Sequence, residues 1–212
     1  MDASKQKARP VIVGVGGLTS DVGKTTLMCE LLRAFPGWEA IKTTRGHYRS
    51  CGKDTEACCV SELLSDEAVI RSGRDETYSA GKDTGQYWES GASNVHWIIA
   101  TDGQVGEGIH RAVARVNAPG VFIEGNSFSE YLTPAFFIMV ARSDQQKIKS
   151  TARRALTRVS AFYFSGDEDP ASQNRDLVEK FSVGRPVPQF SHRQLPELFS
   201  LLRNINTANQ IS

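Results

Sequence analysis

The sequence predicts an α/β fold built on a doubly wound, mostly parallel sheet. Apolar runs typical of buried strands alternate along the chain with segments whose apolar residues recur at helical spacing. A glycine-rich stretch also follows the first strand and leads into the first helix, at the sheet edge where ligands collect in such folds. With 212 residues and 40% hydrophobic content, the chain is long enough for one domain. We expect a single domain over 11–212, preceded by a disordered polar tail over 1–10.

The first strand is predicted over 11–16, because a continuous Val/Ile run is typical of a strand buried on both faces. The first helix is predicted over 24–35, where leucines share one face, and Pro36-Gly37 ends it. Residues 81–93 should form a loop that opens into a helix. The remaining strands share short apolar runs and are predicted over 38–43, 94–100, 121–124, 136–142, 159–164 and 187–190. Amphipathic spacing predicts further helices over 103–116, 145–158, 172–181 and 195–205.

Residues 48–80 show the weakest pattern in the chain. Only 55–64 and 67–71 have fragments of helical spacing, and Ser, Asp and Gly separate them. We interpret this stretch as an irregular functional insertion.

Charge and hydropathy exclude several classes of partner. The net charge of +1 gives no global field for nucleic acid or an anionic membrane. No apolar run approaches the ~20 residues that span a bilayer, and the polar amino terminus is unlike a secretory signal. We expect a cytoplasmic protein whose four cysteines are reduced. One basic helix face is interpreted as solvated surface, and it comprises Lys147, Lys149, Arg153, Arg154 and Arg158.

The stretch GGLTSDVGKTT at 16–26 carries the clearest chemistry. A tight turn after a buried strand exposes backbone N–H groups beside the positive end of a helix, and this arrangement binds phosphate oxygens. Lys24 would place a charge near the outer phosphates, and Thr25 would offer its hydroxyl to Mg²⁺. Five residues separate Gly17 from Gly23 where the usual pattern has four, so the loop is a lengthened variant. The predicted nucleotide-binding residues of this loop are Gly17, Thr19, Ser20, Asp21, Val22, Gly23, Lys24, Thr25 and Thr26.

Acidic and basic residues at other strand and helix ends complete the predicted site. Asp83 opens a helix and is predicted to hold Mg²⁺ with Thr25; capping that helix is its alternative role. Glu124 ends a buried strand, where it could orient the attacking water or bind a backbone amide, and Asp102 is its rival. Lys42 ends the second strand and could reach phosphates or an acidic substrate. Lys24, Asp83 and Glu124 are thus the predicted catalytic residues.

A second cluster has the pattern H-x3-C-x6-C-C and consists of His47, Cys51, Cys58 and Cys59. Thiolates and imidazole suit zinc or another soft metal in a reduced compartment. Adjacent cysteines in a helix can instead be small buried residues. Both interpretations are open.

Several segments taken in order resemble the molybdopterin-guanine dinucleotide biosynthesis protein B family of P-loop GTPases. They are the phosphate loop, IKTTRGH at 41–47, GKDTGQYWESGAS at 81–93 and FIEGN at 122–126. Lys42 and His47 match the family's Lys-His cluster, Lys82-Asp83 its GKD, and Glu124-Gly125 its Glu-Gly. The resemblance covers most of 11–142. It implies GTP binding and hydrolysis with Mg²⁺, a homodimer, and an accessory role beside a molybdenum-cofactor nucleotidyltransferase or cofactor precursor.

The chain also departs from that family. The lengthened loop, with Thr19 and Val22 before GKT, is closer to dethiobiotin synthetase, which also has a lysine after its second strand. Asn126-Ser127 stand where the family has Phe-Lys, and no Asn-Lys-x-Asp guanine signature is present. The choice between GTP and ATP is therefore open. Two alternative hypotheses follow: a metal-delivery GTPase that uses the His/Cys cluster, and an ATP-dependent small-molecule kinase or ligase.

Overall fold

A computed structural model describes residues 9–47, 60–142, 148–166 and 187–211. Within these residues eight strands form one sheet in the order β3-β4-β2-β5-β1-β6-β7-β8. Neighbouring strands run parallel, except that β3 lies antiparallel to β4 at one edge. The strands are β1 Val11–Gly17, β2 Glu39–Arg45, β3 Val69–Ser72, β4 Val95–Ala100, β5 Gly120–Glu124, β6 Phe136–Ala141, β7 Ala161–Phe164 and β8 Gln189–Ser191.

Helices cover both faces of the sheet. The α-helices among the described residues are α1 Lys24–Ala34, α2 Arg74–Thr77, α3 Asp83–Glu89, α4 Val105–Arg115, α5 Ser150–Ala155 and α6 Leu195–Ile211. Short 3-10 helices lie at Ser61–Leu63, Ser127–Glu130, Leu156–Arg158 and His192–Gln194. The described part of the chain has no helix that is both long and apolar enough to cross a bilayer.

Two apolar layers hold the helices against the sheet. Leu27 of α1, Tyr87 of α3 and Leu198 of α6 are fully buried in one layer. Ile109 of α4 and Ala152 of α5 are fully buried in the other. The inward side chains of β1, β5 and β6 are also almost completely buried, as expected for central strands covered on both sides. The predicted doubly wound α/β fold is confirmed.

Strand register determines which residues meet at the carboxyl edge of the sheet. β5 lies between β1 and β2, so its last residue, Glu124, pairs in register with Val15 on one side and Lys42 on the other. The carboxyl ends of parallel strands share one edge, and the loop that follows β1 therefore begins beside Glu124 and Lys42.

The element boundaries differ from the predictions in a few places. Residues 67–71 are predicted as a helix fragment, but 69–71 instead belong to the edge strand β3, which pairs antiparallel with β4. The helix predicted over 145–158 begins only at Ser150 and tightens into a 3-10 turn at Leu156. The helix predicted over 172–181 lies outside the described residues, as do most of the predicted tail and the first half of the 55–64 fragment. The second half of that fragment contains the 3-10 helix Ser61–Leu63.

Candidate functional site

The loop between β1 and α1 turns through two left-handed residues. Asp21 has φ of 54° and Gly23 has φ of 88°, and α1 begins at the next residue. A Cβ atom on Gly23 would come within 3.0 Å of the Ser165 side chain, so both conformation and space favour glycine there. The turn leads directly into the first turn of α1, whose N–H groups have no partner within the helix. This backbone geometry suits an anionic ligand.

Contacts from other loops anchor the phosphate loop at both ends. The Asn126 side chain accepts a hydrogen bond from the Gly17 N–H and donates one to the Gly17 carbonyl, each at 2.9 Å. At the other end, the Ser165 hydroxyl donates to the Val22 carbonyl. The Leu18 N–H also donates to the Val140 carbonyl at 3.0 Å. The loop is therefore positioned before any ligand binds.

Two ammonium groups and two carboxylates converge beside this loop. Lys42 Nζ lies 2.6 Å from Asp83 Oδ2 and 2.8 Å from Glu124 Oε2. Lys24 Nζ lies 4.0 Å from the other oxygen of Glu124. The buried Tyr87 hydroxyl donates a hydrogen bond to Glu124 Oε2 from below the site. Glu124 is only 3% exposed, so its charge is neutralised by these side chains and hardly by water.

The ionisation of the cluster follows from burial and these contacts. Burial lowers the pKa of Lys24 below its usual value, and the like charge of Lys42 adds to the decrease, whereas Glu124 opposes it. Burial also acts to lower the pKa of Lys42, but the charge of Glu124 and hydrogen bonds to Asp83 and Glu124 outweigh it and leave that pKa raised. For Asp83, burial is outweighed by Lys42, and the pKa is lowered. Lys42 and Asp83 are therefore both charged at neutral pH.

Burial and the charge of Glu124 raise the pKa of Tyr87 well above its usual value. The phenol is therefore a neutral hydrogen-bond donor throughout the physiological range. The Tyr87 ring is fully buried, and its hydroxyl contacts Glu124. Its neighbour Trp88 is half-buried and donates to Thr77.

Oxygen ligands suitable for Mg²⁺ lie at the start of α1. The Thr25 hydroxyl donates to Asp83 Oδ1 at 3.1 Å, so a hydroxyl and a carboxylate face the same volume beside Lys24. Mg²⁺ takes one or two carboxylates, hydroxyls and retained waters, and this donor set fits that preference. A cavity of about 350 Å³ opens here and is called the phosphate-site cavity. It is lined by Ser20, Asp21, Gly23, Lys24, Thr25, Lys42, Asp83 and Glu124.

Some predicted residues lie apart from this cavity. The Val22 side chain is fully buried in the core, so only its backbone can face a phosphate. Thr26 is exposed on α1, and Thr19 lines a different cavity on the other side of Lys24. Asp102, the rival acid, is 85% exposed and pairs with Arg45 at 3.0 Å.

The predicted soft-metal cluster lies largely outside the described residues. His47 is exposed just after β2, whereas Cys51, Cys58 and Cys59 fall in the undescribed segment 48–59. Among the residues that the structure does describe, no group of three or more His, Cys, Asp or Glu side chains could hold a metal ion. The remaining cysteine, Cys29, lies in α1 and is buried in the apolar layer under that helix.

Asn126 and Ser165 are site residues that sequence reasoning missed. Both follow the ends of strands, at which the carboxyl edge of the sheet brings loops together. Asn126 gave one signal, because it stands directly after Glu124-Gly125 and departs there from the resembled family. Its role depends on a contact across 109 residues of sequence, which no local pattern indicates.

The fold is a doubly wound, mostly parallel α/β fold in which a glycine-rich loop joins β1 to α1. No protein-family profile matches the chain, and no curated protein matches it by sequence. A crystal structure of HypB from Helicobacter pylori, in complex with nickel, is similar with a TM-score of 0.57 and 14% sequence identity. The alignment covers 96% of this chain and 90% of that one, and it supports the fold class.

Two further solved structures align less well. LpxK from Aquifex aeolicus in complex with ATP gives a TM-score of 0.48 at 16% identity, covering 86% of this chain and 53% of that one. The signal recognition particle receptor FtsY from Elizabethkingia anophelis, in complex with GDP, gives 0.37 at 16% identity, covering 89% and 57%. At these scores neither alignment contributes to the assignment.

Proposed function

We propose that this chain binds a nucleoside triphosphate with Mg²⁺ at the phosphate loop and hydrolyses it. The observation that carries the proposal is the contact between Thr25 and Asp83, 3.1 Å long, placed beside Lys24 where the loop enters α1. A hydroxyl, a carboxylate, an ammonium group and free helix N–H groups are the components that bind a magnesium-triphosphate. Here they come from two elements that are 58 residues apart in sequence.

Each side chain has a separate role in this proposal. Lys24 and the loop amides bind the outer phosphates, and Thr25 and Asp83 would hold Mg²⁺. Bound Mg²⁺ would neutralise charge on the outer phosphates. Glu124 orients the attacking water or the groups around it, because its side chain lines the phosphate-site cavity. Tyr87 fixes the Glu124 carboxylate by a hydrogen bond from the core.

Lys42 would change partners when the ligand binds. In the ligand-free protein its ammonium group neutralises Asp83 and Glu124 together. A divalent cation between Thr25 and Asp83 competes with that ammonium for the same carboxylate. Lys42 would then interact with the incoming phosphates, since it already lines the cavity that would hold them. The pairing with two acids does not distinguish phosphates from an acidic substrate, because either anion would have to displace the same carboxylates.

Calorimetric titration of GTP and of ATP, each with and without Mg²⁺, tests the proposal and identifies the base. Lys24→Ala should weaken binding by roughly 100-fold, equivalent to about 2.7 kcal/mol, while circular dichroism shows an intact fold. Arg33→Ala is the matched control, since Arg33 is exposed on the same helix and its ion pair among the described residues is with Glu30. Wild-type affinity in the Lys24→Ala variant would refute the site.

We further propose GTP as the nucleotide, a cytoplasmic homodimer, and an accessory role in assembly of a molybdopterin-type cofactor. The support is the sequence resemblance over 11–142, above all the order of the phosphate loop, the GKD segment and Glu124-Gly125. Co-sedimentation with a molybdenum-cofactor nucleotidyltransferase, in the presence and absence of GTP, tests the partner. Sedimentation of the protein alone tests the homodimer.

Metal delivery is the second candidate function. It is supported by the fold similarity to HypB, which was crystallised with nickel, and by the cluster of His47, Cys51, Cys58 and Cys59 in the sequence. Metal analysis of reduced protein after incubation with nickel or zinc tests it. Stoichiometric metal that is lost in Cys58→Ser and Cys59→Ser variants would favour delivery; an equally metal-free wild type would exclude it.

A further inference from the structure

A second cavity adjoins the phosphate-site cavity on the far side of Lys24, and it is called the side cavity. Its volume is about 190 Å³. Three cationic residues line it from separate parts of the fold: Lys24 in α1, Arg45 at the end of β2, and Lys149 directly before α5. None of the described residues that line the side cavity carries a carboxylate. The charge of this cavity therefore favours an anion.

An unpaired hydroxyl also points to a missing ligand. The Thr43 side chain lines the side cavity, and its Oγ1 is buried without any hydrogen-bond partner among the described residues. A buried polar atom left without a partner costs roughly 1–3 kcal/mol, so native structures rarely keep one. If the Thr43 side chain rotates toward the side cavity, a ligand oxygen there would supply the partner.

The neighbouring charges leave two of the cations available. Arg45 pairs with Asp102, but that carboxylate is 85% exposed and is strongly screened by water. Lys149 adds to the lowering of the pKa of Lys24, which burial dominates, so the two ammonium groups lie close enough to repel each other. An anion between these cations would relieve that repulsion. Lys149 is exposed, in agreement with its predicted place on a solvated surface, and it also lines the side cavity.

We propose that the side cavity binds a small co-substrate carrying a carboxylate or phosphate group, next to the terminal phosphate of the nucleotide. This inference rests on the proposed nucleotide binding, because Lys24 lines both cavities and would contact both ligands. The volume is below the ~300–1,000 Å³ typical of sites for drug-sized molecules, so the co-substrate is small.

The walls of the side cavity are positioned independently of the nucleotide. Asn126 lines the cavity while its amide holds both backbone groups of Gly17. Its Nδ2 atom also lies 3.4 Å from the hydroxyl of Thr151, another lining residue. The co-substrate site and the start of the phosphate loop therefore share one anchoring side chain.

The test uses protein saturated with Mg²⁺ and a non-hydrolysable analogue of GTP or ATP, so that the phosphate loop is occupied. Succinate and inorganic phosphate are then titrated separately and followed by calorimetry and amide chemical shifts. We expect saturable binding of succinate if the recognised group is a carboxylate, and of phosphate if it is a phosphate. Arg45→Ala and Lys149→Ala should each weaken the bound probe by about tenfold or more, because each removes a charge-assisted contact.

Two further variants separate ligand binding from folding. Thr43→Val should weaken the probe while raising the unfolding midpoint, because it removes a hydroxyl that has no partner in the free protein. Arg154→Ala is the control for lost charge. Arg154 lies on α5, pairs with Glu130 at a distance of 2.8 Å and does not line the side cavity. It should leave probe affinity unchanged.

Failure of this inference is distinguishable from failure of the proposed function. If the analogue does not bind, the proposed function is wrong. If the analogue binds but neither probe does, or if Arg45→Ala and Lys149→Ala leave probe affinity unchanged, the side cavity is not a co-substrate site. Binding of phosphate only to nucleotide-free protein would place it in the phosphate loop and would overturn the inference equally.

Discussion

Two buried glutamates lie at opposite edges of the sheet and have opposite surroundings. Glu39 begins β2 at the amino edge, and Glu124 ends β5 at the carboxyl edge. Each is 3% exposed. Burial alone therefore does not distinguish a structural carboxylate from a functional one.

The contacts of the two glutamates do distinguish them. Glu39 accepts hydrogen bonds from the backbone N–H groups of Asn117 and Ala118 at 2.8 and 3.0 Å. It also contacts His96 Nε2 at 2.7 Å, and the other ring nitrogen of His96 lies 2.8 Å from the Ser72 hydroxyl. Backbone donors cannot leave without unfolding the segment, so this network is closed and serves the fold.

Glu124 is neutralised only by side chains in the contacts that the structure describes. Tyr87, Lys42 and Lys24 surround it, and two of these carry flexible ammonium groups that also line the phosphate-site cavity. Such cations can turn toward a ligand without loss of the fold. A buried acid whose partners are mobile cations beside a cavity is therefore the better candidate for function.

Glu39→Gln should give the largest loss of stability. It breaks a buried, fully paired network, and we expect the free energy of unfolding to fall by about 3 kcal/mol. Urea denaturation measures it, and nucleotide affinity at conditions where the variant is folded should match wild type. An unchanged free energy of unfolding would contradict the structural role assigned to Glu39.

The same residue predicts an acid dependence. Burial acts to raise the pKa of Glu39, but the hydrogen bonds from His96 and Asn117 outweigh it and leave the pKa lowered. A lowered folded-state pKa means that the stabilisation is complete above the unfolded value of about 4.3 and is lost as pH falls through the folded value. As pH falls below about 4.3, the free energy of unfolding should decrease more steeply for wild type than for Glu39→Gln. Parallel plots of unfolding free energy against pH for the two proteins would contradict this.

Lys42→Met should destabilise the ligand-free protein by about 2 kcal/mol, because the buried Glu124 carboxylate then loses its nearest ammonium partner. Burial acts to lower the pKa of Lys42, but its two carboxylate partners outweigh burial and raise that pKa. The raised pKa determines how the stabilisation by Lys42 changes with pH. Its contribution is complete below the unfolded value of about 10.4 and is lost as pH rises through the higher folded value. The stability gap between wild type and variant should therefore narrow only in strong alkali.

Magnesium should partly restore the stability of Lys42→Met, since a divalent cation replaces the lost ammonium at Asp83. Thermal unfolding with and without Mg²⁺ measures this. Equal Mg²⁺ responses in wild type and variant would show that Lys42 and the metal do not compete.

Asp83→Asn should reduce the gain in nucleotide affinity that Mg²⁺ produces by about tenfold, or about 1.4 kcal/mol. The reason is that a neutral amide replaces an anionic metal ligand. Titration of nucleotide at several Mg²⁺ concentrations measures it. Lys82→Ala, at the exposed preceding residue, is the control. If the dependence is unchanged in Asp83→Asn, the metal role passes to Glu124.

Tyr87→Phe should have the smallest effect, a loss of about 1 kcal/mol in unfolding free energy from one hydrogen bond. It should also slow hydrolysis without weakening nucleotide binding, since the phenol contacts Glu124 but does not itself line the phosphate-site cavity. A hydrolysis rate equal to that of wild type would show that the hydrogen bond from Tyr87 is not needed to position Glu124.

Local sequence patterns predicted most of the fold because its central strands are continuous apolar runs. β1, β5 and β6 lie within a residue or two of their predicted bounds. The edge strand β3 was missed because an antiparallel edge strand has little apolar signal, and all four of its residues are only partly buried.

The sequence also indicated Lys24, Thr25, Lys42, Asp83 and Glu124, each from its position at the start of a helix or in or after a strand. The structure brings these five together around one cavity. Asn126, Tyr87 and the side cavity could not be predicted, because each depends on contacts between segments that are distant in sequence and on the exact register of β5 beside β2.

The most direct test is a crystal structure of the protein with Mg²⁺ and a non-hydrolysable nucleoside triphosphate. We expect phosphate density within the loop from Gly17 to Thr25, the metal on the Thr25 hydroxyl and Asp83, and Lys42 turned toward the phosphates. An empty loop with the nucleotide bound elsewhere on the chain would contradict this expectation.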